Sequence, residues 1–277
     1  MIHIVTDSTS DFTQAQAEEL GVTIVPLVVR FGDEQFRDGV DLTADAFYRR
    51  LTTGRTHPST SQPSPEEFSA VYESLLRSRD DSVLSIHISG KLSGTLQSAH
   101  IAAQQFDAGR IHLVDSETVS GGLQLLVRAA VEDVRAGHDF ETVSGTATRR
   151  RSRVGLYVLL DTLTYLHRGG RIGRAQAMLG SLLNVKPLLT TDHGEVAPQA
   201  RVRSRNRGLD MIVDLLRPRA PLRALAAFHA GAPELVDQIC TRLAAAFPDT
   251  EVIVGQVGPV VGTYAGPGGI GVAYLAR

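Results

Sequence analysis

Val83-Leu84-Ser85-Ile86-His87-Ile88 runs into Ser89-Gly90-Lys91-Leu92-Ser93-Gly94-Thr95, and an amphipathic stretch then leads to Arg110-Ile111-His112-Leu113-Val114. The first run reads as a buried strand. The glycine- and hydroxyl-rich turn opens a helix over Ser93–Phe106, and Arg110–Val114 reads as a second strand. Strand, helix and strand at this spacing form a βαβ unit, in which the two strands lie parallel.

The same rhythm extends outward in both directions. Ile2–Val5 reads as a buried strand and Gln14–Leu20 as a helix stopped by Gly21. Val22–Arg30 reads as extended, with Pro26 arguing against a central position in a sheet. Thr43 is placed to cap a helix through Leu51. Ser64-Pro65-Glu66-Glu67 supplies an N-cap, a proline at the first helical position and a carboxylate three residues past the cap, so a helix is expected over Pro65–Arg77. Further helices are expected at Gly122–Arg135, ended by Gly137, and at Phe140–Ser152. Four apolar strands separated by helices predict an α/β domain with a mostly parallel open sheet flanked by helices on both faces.

From Val154 the pattern becomes α+β. Strand Val154–Leu159 precedes helices at Leu160–His167 and Ala175–Leu183. A hairpin of Pro187–Thr191 and Glu195–Val202 turns at Asp192-His193-Gly194. Helix Leu209–Leu216, strand Leu222–Phe228, helix Pro233–Phe247 and strands Val252–Gln256 and Ile270–Ala276 complete the chain. Two domains, 1–152 and 153–277, follow, in keeping with the usual ~150 residues per domain.

Composition narrows the function. The 277 residues carry a formal charge of −2 with 43% hydrophobic and 21% charged residues, which is globular composition. That balance gives no electrostatic footprint for nucleic acid or an anionic membrane. Aromatics are only 5% and none interleaves with the arginine runs, so base stacking is not expected either. Cys240 is the one cysteine and cannot form an internal disulfide; apolar neighbours at helical spacing mark it as a core thiol. No basic leader with an apolar core opens the sequence, and no 18-residue apolar stretch occurs. A reduced, soluble, cytoplasmic protein without integral membrane association is expected.

In an open parallel sheet, ligands sit beyond the carboxyl ends of the strands. Three such loops are crowded with hydroxyls: Asp7–Asp11, Ser89–Thr95 and Asp115–Gly122. A fourth polar segment, Ser59–Ser64, precedes the capped helix. Each residue alone could be a simple cap or turn former. Four such segments on one sheet edge point to an anion site built from hydroxyls and helix-start N–H groups. The second half supplies cations in Arg168-Gly169-Gly170-Arg171-Ile172-Gly173 and in the alternating Arg201, Arg203, Arg205 and Arg207. The glycines let Arg171 approach a ligand closely.

Other motifs fail on context. Gly266-Pro-Gly268-Gly-Ile-Gly271 has the letters of a dinucleotide fingerprint, but only six residues follow it, so it reads as a turn. No phosphate-loop motif, nucleophile elbow or metal-ligand spacing is present, and no metal or cofactor is expected. A hydroxyl-nucleophile acyl or phosphoryl hydrolase, using Ser93 or Thr60 with Asp7 or His87, is the competing enzyme reading; His87 falls inside a strand, where a core histidine is commoner. A regulatory partner-binding module is the third.

Asp7-Ser-Thr-Ser-Asp11, Thr60-Ser-Gln-Pro-Ser64, Leu92-Ser-Gly-Thr95, Val114-Asp-Ser116, Gly169-Gly-Arg-Ile172, Lys186-Pro187 and Gly262-Thr-Tyr-Ala-Gly-Pro-Gly268 occur together in this order. In that set and spacing the chain resembles DegV-like proteins from end to end. The resemblance implies a long-chain fatty acid, such as palmitate, held between the two domains. It also implies service as the lipid-carrying subunit of a fatty-acid kinase, without catalysis of its own. A separate ATP-dependent partner subunit would phosphorylate the carboxylate for phospholipid synthesis. The family's carboxylate-binding hydroxyls match Thr60 and Ser93, and its arginines match Arg171 and Arg201. With the adjoining Ser61, Gly94 and Thr95, and with Tyr264, these make the expected binding set. Tyr264 is a departure, because the family usually has histidine there; a phenol keeps a hydrogen bond but is neutral at pH 7. At ~0.8 kcal/mol per buried methylene, a 16-carbon tail would contribute roughly 10 kcal/mol before entropic costs.

Overall fold

The computed structural model describes residues 1–54, 56–179 and 185–277. In chain order, the strands of the first half are β1 (Ile2–Asp7), β2 (Val22–Val25), β3 (Val28–Phe31), β4 (Glu34–Arg37), β5 (Ser59–Ser61), β6 (Ser82–His87) and β7 (Ile111–Asp115). The second half adds β8 (Val154–Leu159), β9 (Lys186–Asp192), β10 (Glu195–Val202), β11 (Leu222–His229), β12 (Val252–Gln256) and β13 (Ile270–Ala276).

The expected parallel sheet has the order β2-β1-β6-β7. Its central strands carry the fully buried Val5, Val83, Leu84 and Ile86. Burial on both faces is why these strands read as continuous apolar runs. Helices Pro65–Leu75 and Thr95–Ala103 pack on one face, and helices Gly121–Arg135 and Phe140–Arg150 on the other. The Ser64 capping box forms: Glu67 N donates to Ser64 Oγ (3.3 Å), and Ser64 N donates to the Glu67 carboxylate (2.7 Å).

The second half is one six-stranded mixed sheet, β10-β9-β8-β13-β11-β12, antiparallel except where β11 and β12 run parallel. The β9–β10 hairpin turns at residues 192–194, as expected. Ser89 Oγ donates to Gly194 O (2.7 Å), pinning the hairpin tip to the loop after β6.

Helix Gly121–Arg135 lies between the two sheets. One side packs on β1 and β6, the other on β8, β11 and β13. That position explains why the whole run Gly121–Val127, and not a single stripe, is buried.

Four local expectations are corrected. Val22–Arg30 is two strands: β2 ends at Val25, and after Pro26 the chain leaves the parallel sheet as β3 to pair with β4 and β5. Pro26 has no N–H to extend the ladder, so the break falls there. The helix expected at Leu160–His167 is confined to Thr164–Arg168. Within Ala175–Leu183, the described part is a 3₁₀ turn over Gly173–Met178, and residues 180–183 of that expectation lie outside the described residues. Arg201, Arg203, Arg205 and Arg207 do not share one extended face, because Ser204 caps a helix that begins at Arg205. A short helix at Pro259–Ala265 had no counterpart in the sequence reading. Among the described residues, no helix is long and apolar enough to cross a membrane.

Candidate functional site

A cavity of about 380 Å³ lies between the loops of the parallel sheet and one face of the mixed sheet. That is within the range of small-molecule sites. All four hydroxyl-rich segments reach it, contributing Thr9, Thr60 with Ser61, Ser93, and Ser120. The convergence follows from topology, since β1, β6 and β7 run parallel and their carboxyl ends open on one edge.

The polar end is small and specific. Thr60 Oγ1 and the Tyr264 hydroxyl share a hydrogen bond of 2.5 Å, joining β5 to helix Pro259–Ala265. The Arg171 guanidinium stands 5.3 Å from the Tyr264 ring centroid and donates to Gly169 O (2.9 Å) and Leu92 O (3.3 Å). Ser93 Oγ shares a hydrogen bond with Thr95 Oγ1 (2.8 Å) and accepts from Thr95 N (3.3 Å). Arg171 is the one charged side chain among the described residues lining the cavity; its other polar lining groups are neutral hydroxyls and the Gln62 amide. Such an end suits a single negative charge.

Thr60, Ser61, Ser93, Arg171 and Tyr264 of the expected set are thus brought together. Gly94 and Thr95 stand behind Ser93. Thr95 orients the serine, and Gly94 lets the Gln62 amide pass, because a Cβ there would collide with it. Arg201 is not among the described residues lining the cavity; it is exposed on β10 and donates to Ala177 O (3.3 Å).

Away from this end the lining is apolar. Leu156 and Val158 of β8, Phe228 of β11, Gly271 and Ala273 of β13, and Val260 of helix Pro259–Ala265 form much of it. Sequence reasoning expected wall material from the Leu-, Val- and Ala-rich second half but named none of these residues. The strands were legible, but the mixed sheet is apolar on both faces, so alternation alone does not say which face borders a cavity.

The competing catalytic groups are spoken for. His87 Nδ1 lies 3.0 Å from Asp7 Oδ2 and Nε2 lies 2.7 Å from Ser85 Oγ, a spacing like that of a serine-hydrolase triad. Asp7, Ser85 and His87 are all fully buried, and none lines the cavity. The Ser85 hydroxyl also bonds the Tyr72 hydroxyl (2.9 Å), so the arrangement is an internal network and not an exposed nucleophile. Ser93 and Thr60 bond Thr95 and Tyr264 and have no hydrogen bond to His87.

Behind the wall lies a second buried group. Asp11 accepts from Ser120 Oγ (2.5 Å) and Gly258 N (2.9 Å), and Asp38 stands beside it. Burial holds both carboxyls above their ordinary range, Asp38 being pushed up to about 7.

Comparisons with known proteins agree over the whole chain. A family model described as an uncharacterised protein of the DegV family matches residues 1–277. A DegV domain-containing protein of Deinococcus radiodurans is 43% identical, covering 98% of this chain and 97% of its own length. Two solved structures superpose closely. One is a DegV family protein from Thermus thermophilus described for its fatty acid binding: TM-score 0.92, 38% identity, coverage 100% of this chain and 99% of that one. The other is DegV of Bacillus subtilis, described as a fatty acid binding protein: TM-score 0.90, 33% identity, coverage 100% and 99%. With its full-length match to the family model and its 43% identity to a DegV domain-containing protein over nearly its whole length, this chain belongs to the DegV family.

Proposed function

We propose that this protein binds a long-chain fatty acid in the cavity, with the carboxylate at Thr60, Ser61, Ser93, Tyr264 and Arg171 and the acyl chain along the apolar wall. The observation that carries the reading is a cavity whose polar end, among the described residues, carries one cation and whose remainder is apolar. A buried carboxylate needs several donors and a nearby cation, and a methylene chain needs only a dry wall. Fatty acid binding by the two structural relatives supports it. Residues 1–152 supply the hydroxyl loops, and residues 153–277 supply Arg171, Tyr264 and most of the wall. The protein carries out no chemistry itself; it presents the carboxylate to an ATP-dependent kinase subunit in the cytoplasm, which makes the acyl phosphate for phospholipid synthesis.

Lipid extraction of the purified, denatured protein followed by mass spectrometry tests the reading. A fatty acid in near-stoichiometric amount is expected; protein that is empty and takes up no added fatty acid overturns it. Arg171→Ala should weaken binding by about 1.5 kcal/mol, the low end for a charge-assisted hydrogen bond because Arg171 is exposed and partly screened. Unchanged affinity in the folded variant would remove Arg171 from the site.

A further inference from the structure

The mixed sheet contains glycines of two kinds. At Gly155 of β8 a Cβ would run into the Tyr274 ring, and at Gly255 of β12 into the Phe228 ring. Gly121, at the start of the central helix, would place a Cβ 3.1 Å from Phe228. At Gly155 and Gly255 a neighbouring ring already fills the missing volume, so packing requires the glycine, and at Gly121 the fit is tight.

Gly271 differs. It lies within β13, paired with Val158 on one side and Phe228 on the other. Its backbone is not in the left-handed region that favours glycine, and a Cβ there would meet only Leu156 Cδ1 at 3.6 Å, Val158 Cγ2 at 3.8 Å and Phe228 O at 3.9 Å. Those are ordinary contacts. Neither conformation nor packing demands glycine, and a glycine inside a strand weakens it. Yet Gly271 is buried, and it lines the cavity together with Leu156, Val158 and Phe228. The volume its side chain would occupy is cavity volume.

We infer that Gly271 is a specificity residue, keeping the apolar part of the cavity open so that the longest acyl chains fit. The inference rests on the fatty-acid reading above. A side chain at this position takes space from the ligand without disturbing the protein, so it selects against long chains. Alanine displaces roughly one methylene and leucine several; two methylenes without a place in the wall correspond to a roughly tenfold loss of affinity.

The test is a competition. Wild type, Gly271→Ala and Gly271→Leu are each equilibrated with an equimolar mixture of saturated fatty acids from 12 to 20 carbons, repurified, extracted and profiled by mass spectrometry. Thermal unfolding is recorded in parallel. For Gly271→Leu, the bound ratio of 18-carbon to 14-carbon acid should fall roughly tenfold or more, and for Gly271→Ala roughly threefold. The Tm of Gly271→Ala should be equal to or above that of wild type, because alanine suits a strand better than glycine. Stability kept while the chain profile shortens is a pattern that a purely structural glycine does not produce. Wild-type profiles in the variants overturn the inference but leave fatty-acid binding standing, and if Gly271→Leu fails to fold, Gly271→Ala decides alone. A wild type that takes up none of the acids overturns both readings.

Discussion

Asp7 and Asp11 sit four residues apart around the loop after β1, and each heads a buried polar cluster, but the two clusters are satisfied to different degrees. Around Asp7, one carboxylate oxygen accepts from Thr9 N (3.0 Å) and Thr9 Oγ1 (2.5 Å). The other accepts from Ile88 N (3.0 Å) and faces His87 Nδ1. On the far side of the ring, Nε2 lies 2.7 Å from Ser85 Oγ. Tyr72 closes the chain. Around Asp11 and Asp38 the accounting is incomplete: Asp38 Oδ2 and the Tyr48 hydroxyl are buried without a hydrogen-bond partner. Two carboxyls and a phenol are crowded at the start of helix Pro259–Ala265, which carries Tyr264. The difference teaches that burial alone does not decide what an acidic residue contributes. The first cluster is a completed network that can rigidify the centre of the parallel sheet, whereas the second buries carboxyls whose ionised form is penalised by burial.

The largest effect should come from breaking the completed network. Asp7→Ala leaves His87, Thr9 and the Ile88 N–H without their acceptor inside a region closed to water. A loss of about 3–5 kcal/mol is expected in urea unfolding. A loss below about 1 kcal/mol would mean that the network is ornamental to stability.

The second cluster should show itself through pH. The folded protein keeps a proton on Asp38 up to about pH 7, whereas the unfolded chain releases it near pH 4. Over that window the folded state binds more protons, so stability is highest at the acid end and falls as pH rises toward 7, levelling off above it. The contribution of Asp38 is on the order of 2–4 kcal/mol. Asp11, raised in the same direction by burial, steepens the fall. Asp38→Asn should flatten the dependence, gaining most relative to wild type at pH 8. An equally steep profile in the variant would place the titration elsewhere.

Much of this was legible in the residues, and the rest was hidden for identifiable reasons. The parallel sheet could be read because each of its strands is a short apolar run followed by a helix signal, and Ser64-Pro65 and Gly21 mark element ends in local chemistry. Thr60, Ser93 and Arg171 could be placed in one site because parallel topology gathers strand ends and because the family resemblance named them. Arg201 could not be excluded in advance: alternation puts it on a face but does not say whether that face meets the cavity. The helix Pro259–Ala265 was hidden by its own composition: its first-position proline favours a helix start, but a glycine, two valines and a threonine within seven residues do not favour a helix. It forms because the Asp11 carboxylate accepts Gly258 N at its start and Val260 packs into the wall, a partnership 247 residues apart in sequence.

The smallest effect separates the clusters most sharply, because it compares one atom in each. Tyr72 and Tyr48 are both buried, at 0% and 6% exposure, so Tyr→Phe removes a hydroxyl at either site and leaves the ring packing in place. The Tyr72 hydroxyl bonds Ser85 Oγ, and its loss leaves Ser85 with one partner fewer, so Tyr72→Phe should cost about 1 kcal/mol. The Tyr48 hydroxyl has no partner; burial, and after it the neighbouring Asp11 and Asp38 carboxyls, hold it far above its ordinary pKa. Removing it relieves an unpaid desolvation, so Tyr48→Phe should be neutral or stabilising by up to about 1 kcal/mol. Opposite signs in the two variants, read in the same denaturant titration, are what two differently satisfied clusters require. A matched loss at both positions would mean that the Tyr48 hydroxyl donates to one of the two carboxylates, and the second cluster would then be as complete as the first.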